Sequence, residues 1–221
     1  MLLFNLHTHI KPTNILSKKY SCYGIYNDNI YQPELSTPFS IGIHPCSLTF
    51  ENKDSQVQSV ISNKNNPLLK AIGECGLDRI CSTQYSLQKE AFLNMINISE
   101  EIKKPLIIHC VKAIDDILSI KKEEKPSQTW IFHGFRGKPQ QAEALLKSGI
   151  SLSFGAKFNV EALKIVPLNR LFIETDDENC NLLSLYEQIA EIKNVSMDCL
   201  SGTIEQHCQE LFGFEKDCIK K

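Results

Sequence analysis

Short apolar runs recur along the chain, and most are followed by a longer polar stretch of helix-favouring residues. Eight runs have the length of a buried strand: 2–7, 20–26, 39–44, 69–74, 106–109, 129–133, 150–154 and 170–175. That alternation predicts a parallel sheet with crossover helices, and eight repeats of it predict a closed TIM-type (β/α)8 barrel of the α/β class. The clearest helix spans 84–103, where Leu87, Ala91, Met95, Ile98 and Ile102 repeat on one face before Pro105 stops it. Further helices are expected at 54–63, 112–122, 139–147, 182–193 and 197–212, with Gly149 ending the one before it. Between the first three strands the pattern weakens. Segment 11–19 is short, and 27–38 carries Pro33 and Pro38 without helical rhythm. The barrel is therefore expected to be distorted there, with an incomplete helical ring.

Composition narrows the class without changing the fold. A length of 221 residues suits one barrel domain over 1–221. A net charge of −2 and a pI near 6.3 exclude a broad basic footprint, so a phosphate-bearing substrate must be gripped locally. Met1-Leu2-Leu3-Phe4-Asn5 lacks a basic region and reads as a buried strand rather than a signal peptide, and no stretch approaches the ~20 apolar residues of a membrane span. Nine cysteines without a C-x-x-C pair fit reduced thiols in a cytoplasmic protein. Cys22, Cys46 and Cys199 read as small buried apolar filler. Nothing points to an obligate protein partner.

Chemistry gathers at the strand ends, the face on which barrels of this kind build active sites. His7 and His9 are two residues apart and face the same side of an extended chain. Alone, such a pair is as often an ordinary surface or core feature. Glu74 ends an apolar run, where a carboxylate is costly to bury without a cation or hydrogen-bond partner, and Gly73 and Gly76 permit close backbone approach. His109 and His133 each close an apolar run, and Asp176 follows 171–175, with Glu174 on its face by alternation and Asp177 directed elsewhere. Six ligands, His7, His9, Glu74, His109, His133 and Asp176, exceed what one tetrahedral ion takes. Two divalent ions sharing a carboxylate and a water fit them, and that arrangement is hydrolytic. Zinc, magnesium and manganese all suit such ligands.

The ordered motifs His7-Thr8-His9, Gly42-Ile43-His44-Pro45, Gly73-Glu74-Cys75-Gly76-Leu77-Asp78, His109-Cys110, His133-Gly134-Phe135-Arg136-Gly137 and Glu174-Thr175-Asp176 together resemble the TatD family of metal-dependent deoxyribonucleases. The resemblance spans nearly the whole chain. It implies that His7, His9, Glu74 and Asp176 hold one ion and that Glu74, His109 and His133 hold the second. Glu74 would bridge, and Asp176 would orient or deprotonate the attacking water. It implies a DNA substrate, single-stranded or at an end. His44 resembles the family's Gly-x-His-Pro histidine and is expected to contact substrate rather than serve as a primary ligand. Arg79, Lys112 and Arg136 follow motif residues and are candidate phosphate contacts. Lys112 stands where many relatives place arginine. The stretch after Asp176 lacks the proline-rich loop of longer relatives, and His207 reads as structural. The same metal site also suits a small amide, ester or phosphoester, and a barrel that binds without catalysis is a third reading.

Overall fold

The computed structural model describes residues 2–10, 21–27, 37–178 and 180–214. Its strands form one sheet in chain order: β1 (Leu2–Thr8), β2 (Ser21–Asn27), β3 (Phe39–Ile41), β4 (Leu69–Asp78), β5 (Leu106–Val111), β6 (Trp130–Phe132), β7 (Ile150–Phe154) and β8 (Leu171–Ile173). Helices α1 (Lys53–Ser62), α2 (Tyr85–Ile102), α3 (Ile114–Glu124), α4 (Pro139–Lys147), α5 (Val160–Ile165), α6 (Leu182–Lys193) and α7 (Met197–Phe212) alternate with the later strands. The chain divides into two compact units, Asn27–Phe132, and Met1–Tyr26 with His133–Lys221.

In the Asn27–Phe132 unit, β4 lies between β3 and β5, parallel to both, and β5 pairs with β6. Helix α2 turns Leu87, Ala91, Met95 and Ile98 inward and packs on β4, on the face its spacing foretold. Each large apolar side chain so buried contributes roughly 1.5–3 kcal/mol. Lys103 ends α2 in the left-handed conformation, two residues before Pro105. Strand β4 runs on to Asp78, past the expected end at Glu74. Gly73 and Gly76, at φ 133° and 149°, let its backbone press against β5 so that pairing continues through Gly76 opposite His109.

In the other unit, β1 pairs with β2 and β7 with β8, all parallel. Thr8 and Asp176 join β1 to the segment after β8. The Asp176 N–H donates to His7 O at 3.0 Å, and the His9 N–H donates to Asp176 O at 3.1 Å. Helices α6 and α7 cover β1. The Tyr186 hydroxyl donates to Phe4 O at 2.7 Å and accepts the Phe4 N–H at 3.1 Å, while the Phe4 ring stacks on Phe212 at 5.7 Å. His207 stacks on Phe172 at 4.9 Å, and its burial lowers its basicity, as a structural histidine requires.

Several expectations need correcting. Helix α5 was not foreseen, because six residues are too few to display a helical period. Strands β3, β6 and β8 stop before His44, His133 and Thr175, which leaves those residues on loops. Cys46 and Cys199 are exposed rather than buried filler, the one on a 3-10 turn and the other on the first turn of α7. The Cys22 side chain lies outside the described residues, as do 11–20 and 28–36, on which the expected gap in the helical ring falls. Among the described residues, no helix is long and apolar enough to cross a membrane.

Candidate metal centre

In the unit that holds both termini, His7, His133 and Asp176 bring one ligand atom each within 4.8 Å of one another. His7 is fully buried at the end of β1, while His9 is part-exposed just beyond it. His7 Nε2 and His9 Nε2 converge on the same oxygen, Asp176 Oδ1, at 3.6 and 3.5 Å. These separations are long for hydrogen bonds, yet they match the edge of a coordination shell. Two bonds of ~2.0–2.2 Å at a tetrahedral angle set N and O about 3.4 Å apart. Asp176 holds its carboxylate there from a left-handed backbone, φ 55°, which its hydrogen bonds to His7 and His9 fix.

Glu174, which alternation puts on a common face with Asp176, approaches His133, a member of the same group. The Glu174 side chain is fully buried, and its Oε1 lies 3.2 Å from His133 Nδ1. A carboxylate partner assigns the proton to Nδ1 and leaves the Nε2 lone pair to ligate. Glu174 is thus a candidate positioning residue, whose partner His133 the strand pattern did not foretell.

In the Asn27–Phe132 unit, His44, Glu74 and His109 form a second group. Asp78 Oδ2 sits 3.1 Å from His109 Nε2, so Nε2 carries the proton and Nδ1 presents a lone pair. That lone pair faces Glu74 Oε2 at 3.3 Å. Two electron-rich atoms so close, with Glu74 almost wholly buried, need a cation or a proton between them. Burial acts to raise the Asp78 pKa, but hydrogen bonds from the Ile80 N–H, His109 and the Cys81 N–H outweigh it and hold the carboxyl below its ordinary value. Asp78 closed a motif in the sequence without being singled out. The signal was the one that exposed Glu74, a carboxylate at the end of an apolar run.

His44 is different. Its Nδ1 accepts the Cys46 N–H at 3.1 Å, so its proton sits on Nε2, 3.8 Å from Glu74 Oε2. A protonated nitrogen donates to anions and does not ligate metals, in keeping with a substrate contact. With His44 set aside, the remaining donors, the imidazole nitrogens of His7, His133 and His109 beside carboxylate oxygens of Asp176 and Glu74, fit divalent cations.

The candidate phosphate contacts are placed less uniformly. Lys112 is exposed in a left-handed turn after β5. Arg136 Nη2 lies 3.8 Å from Glu178 Oε1, to which Lys157 is also paired at 2.6 Å. Arg79 is bound to Asp116 at 2.5 Å and lies over the Tyr85 ring at 4.3 Å, while Lys89 and the Tyr85 hydroxyl also reach Asp116, at 2.9 and 2.8 Å. Burial raises the Asp116 pKa, but hydrogen bonds from Lys89, Tyr85 and Arg79 outweigh it and bring it down to about 2. A depressed carboxyl stabilises the fold fully above its unfolded value of about 4 and ceases to do so as pH falls through about 2. Asp116→Asn is expected to cost about 1 kcal/mol at neutral pH, after allowance for screening of its exposed partners, with the deficit shrinking between pH 4 and pH 2. Urea unfolding across that window checks it, and a deficit independent of pH would refute the assignment.

A family model described as TatD related DNase matches residues 29–213. An uncharacterized metal-dependent hydrolase of Buchnera aphidicola is 32% identical over 195 residues, covering 78% of this chain and 73% of that protein. The 3'-5' ssDNA/RNA exonuclease TatD of Erwinia amylovora is 27% identical, over 67% of this chain and 68% of its own length. The crystal structure of YJJV, a TatD homolog from Escherichia coli, superposes with a TM-score of 0.77 at 18% identity, covering 97% of this chain and 98% of that one. At that identity the likeness speaks for fold, and it agrees with the barrel expected from eight strand and helix repeats. The chain belongs to the TatD-related DNase family.

Proposed function

We propose that the protein is a divalent-metal-dependent hydrolase that cleaves DNA phosphodiester bonds, on single strands or at ends. The observation that carries this reading is the approach of two imidazoles, His7 and His9, to one Asp176 oxygen at coordination-shell separations. In the proposal, His7, His9, Glu74 and Asp176 hold one ion, and Glu74, His109 and His133 hold a second. When bound, such ions supply Lewis acidity toward a phosphoryl oxygen and lower the pKa of water. The chain does the rest. Glu174 and Asp78 fix the orientation of His133 and His109, so that ligand lone pairs are set before substrate arrives. Asp176, whose side chain is part-exposed, would orient water and accept its proton. His44 presents an N–H to a phosphate oxygen, and Lys112, Arg79 and Arg136 supply flanking positive charge.

The Erwinia relative, named for both ssDNA and RNA, supports a nucleic-acid substrate, and a net charge of −2 favours local grip on an end or a loose strand. Seven free thiols among the described residues support a reducing compartment, the cytoplasm.

End-labelled single- and double-stranded DNA, incubated with purified protein and Mg2+, Mn2+ or Zn2+, tests the proposal. Shortening of the single strand that stops on chelation and returns on adding metal is expected, with elemental analysis counting two ions per chain. Undiminished cleavage by metal-free protein refutes the metal role. Hydrolysis confined to cyclic amides or small esters refutes the nuclease role alone.

A further inference from the structure

Beside the proposed centre lies a separate group of metal-ligating atoms, Cys46, Asp78 and Cys81, with one ligand atom from each within 4.8 Å of the others. Neither cysteine belongs to a motif that the hydrolytic reading uses. Cys46 sits on the exposed 3-10 turn Pro45–Ser47, Asp78 ends β4, and Cys81 follows on the next bend. Two loops thus meet over one carboxylate.

We infer that these three side chains form a binding site for a single borderline-soft divalent cation of the zinc type, distinct from the His and carboxylate ligands of the hydrolytic centre. Cys46 Sγ lies 3.5 Å from Asp78 Oδ2. Bonds of ~2.3 Å to sulfur and ~2.0 Å to oxygen at a tetrahedral angle put these atoms about 3.5 Å apart, so the pair already spans one edge of such a site. Two sulfur ligands select zinc-like ions over magnesium.

The surroundings are built as outer shells of metal sites are. Asp78 Oδ1 accepts the Ile80 N–H at 2.7 Å and the Cys81 N–H at 3.2 Å, which fixes the carboxylate. The Gln88 amide donates to Cys81 Sγ at 3.4 Å while also holding the Asp78 and Thr83 carbonyls at 2.9 Å. N–H donors to sulfur stabilise thiolate ligands, and ligand orientation by partners of this sort raises affinity. Exposure of Cys46 provides the entry path and leaves a fourth position to water. The ion would pin the loop after β3 to the loop after β4. The site shares no proposed ligand with the hydrolytic set, but Asp78 Oδ2 is also the partner of His109 Nε2, so the cysteine variants and not Asp78 variants separate it from the nuclease reading.

Cobalt(II) is the probe. The full chain, reduced with a phosphine and stripped of metal, is titrated with Co2+ while the thiolate-to-cobalt charge-transfer band is followed. One equivalent of thiolate-bound cobalt is expected, present also in Glu74→Ala and lost in Cys46→Ser and in Cys81→Ser. No band in the parent chain, or a band that Cys46→Ser leaves at full intensity, overturns the inference. Alkylation of the unmutated chain keeps the test decisive if a serine variant misfolds. Zn2+ should slow labelling of Cys46 and Cys81 at least tenfold, and equal labelling with and without Zn2+ overturns the site.

Discussion

Replacing Glu74 with glutamine is expected to lower hydrolysis on the order of 1,000-fold and to reduce bound divalent metal in the same preparation. The substitution keeps size and shape and removes charge. Glu74 is nearly buried, and its Oε2 faces the unprotonated nitrogen of His109 at 3.3 Å. A neutral amide there still fills the space, but it cannot balance a cation shared with that imidazole. Asp78→Asn, by contrast, leaves every proposed ligand of the hydrolytic centre in place and acts on that centre through the proton assignment of His109, for which about 10–100-fold is the usual scale. It also removes a ligand of the inferred site of Cys46, Asp78 and Cys81. The ordering of the two effects separates a ligand from a positioning residue. Turnover by Glu74→Gln within tenfold of the parent at saturating metal would remove Glu74 from the centre.

The candidate ligands were legible because polar residues at the mouth of a parallel sheet follow uninterrupted apolar runs. The stretch Leu106-Ile107-Ile108 ends in His109, and Trp130-Ile131-Phe132 ends in His133, so burial marks the strand and the first polar side chain marks its mouth. The partners of those ligands were harder to read. Alternation puts Glu174 on a face with Asp176, and both approach His133, but alternation does not say which imidazole a carboxylate will hold. Asp78 lay beyond the expected end of β4, because the apolar run reads as stopping at Glu74, whereas Gly73 and Gly76 let strand pairing continue past it. Arginines were least legible. Nothing in the string around Arg79 says that an acid 37 residues on, Asp116, will take its guanidinium. Solvent exposure of Cys46 and Cys199 likewise escaped a rule based on average thiol burial.

The prolonged strand carries the second large effect, one on stability. Gly76→Ala is expected to destabilise the protein by more than about 3 kcal/mol, because the added Cβ would overlap the His109 carbonyl oxygen, a backbone atom that cannot rotate away. Its φ of 149° is also one that L side chains rarely adopt. Relief would require β4 and β5 to part where Glu74 and His109 face each other, so metal affinity should fall along with the unfolding midpoint. Gly202→Ala supplies the opposite sign. That glycine lies inside α7 with nothing within 4 Å of an added Cβ, and alanine there should stabilise by roughly 0.5–1 kcal/mol through helix propensity and reduced chain entropy. Urea unfolding of both variants decides the matter. If Gly76→Ala falls within 1 kcal/mol of the parent, the close approach of β4 to β5 is wrong, and the Glu74–His109 geometry that depends on it fails too.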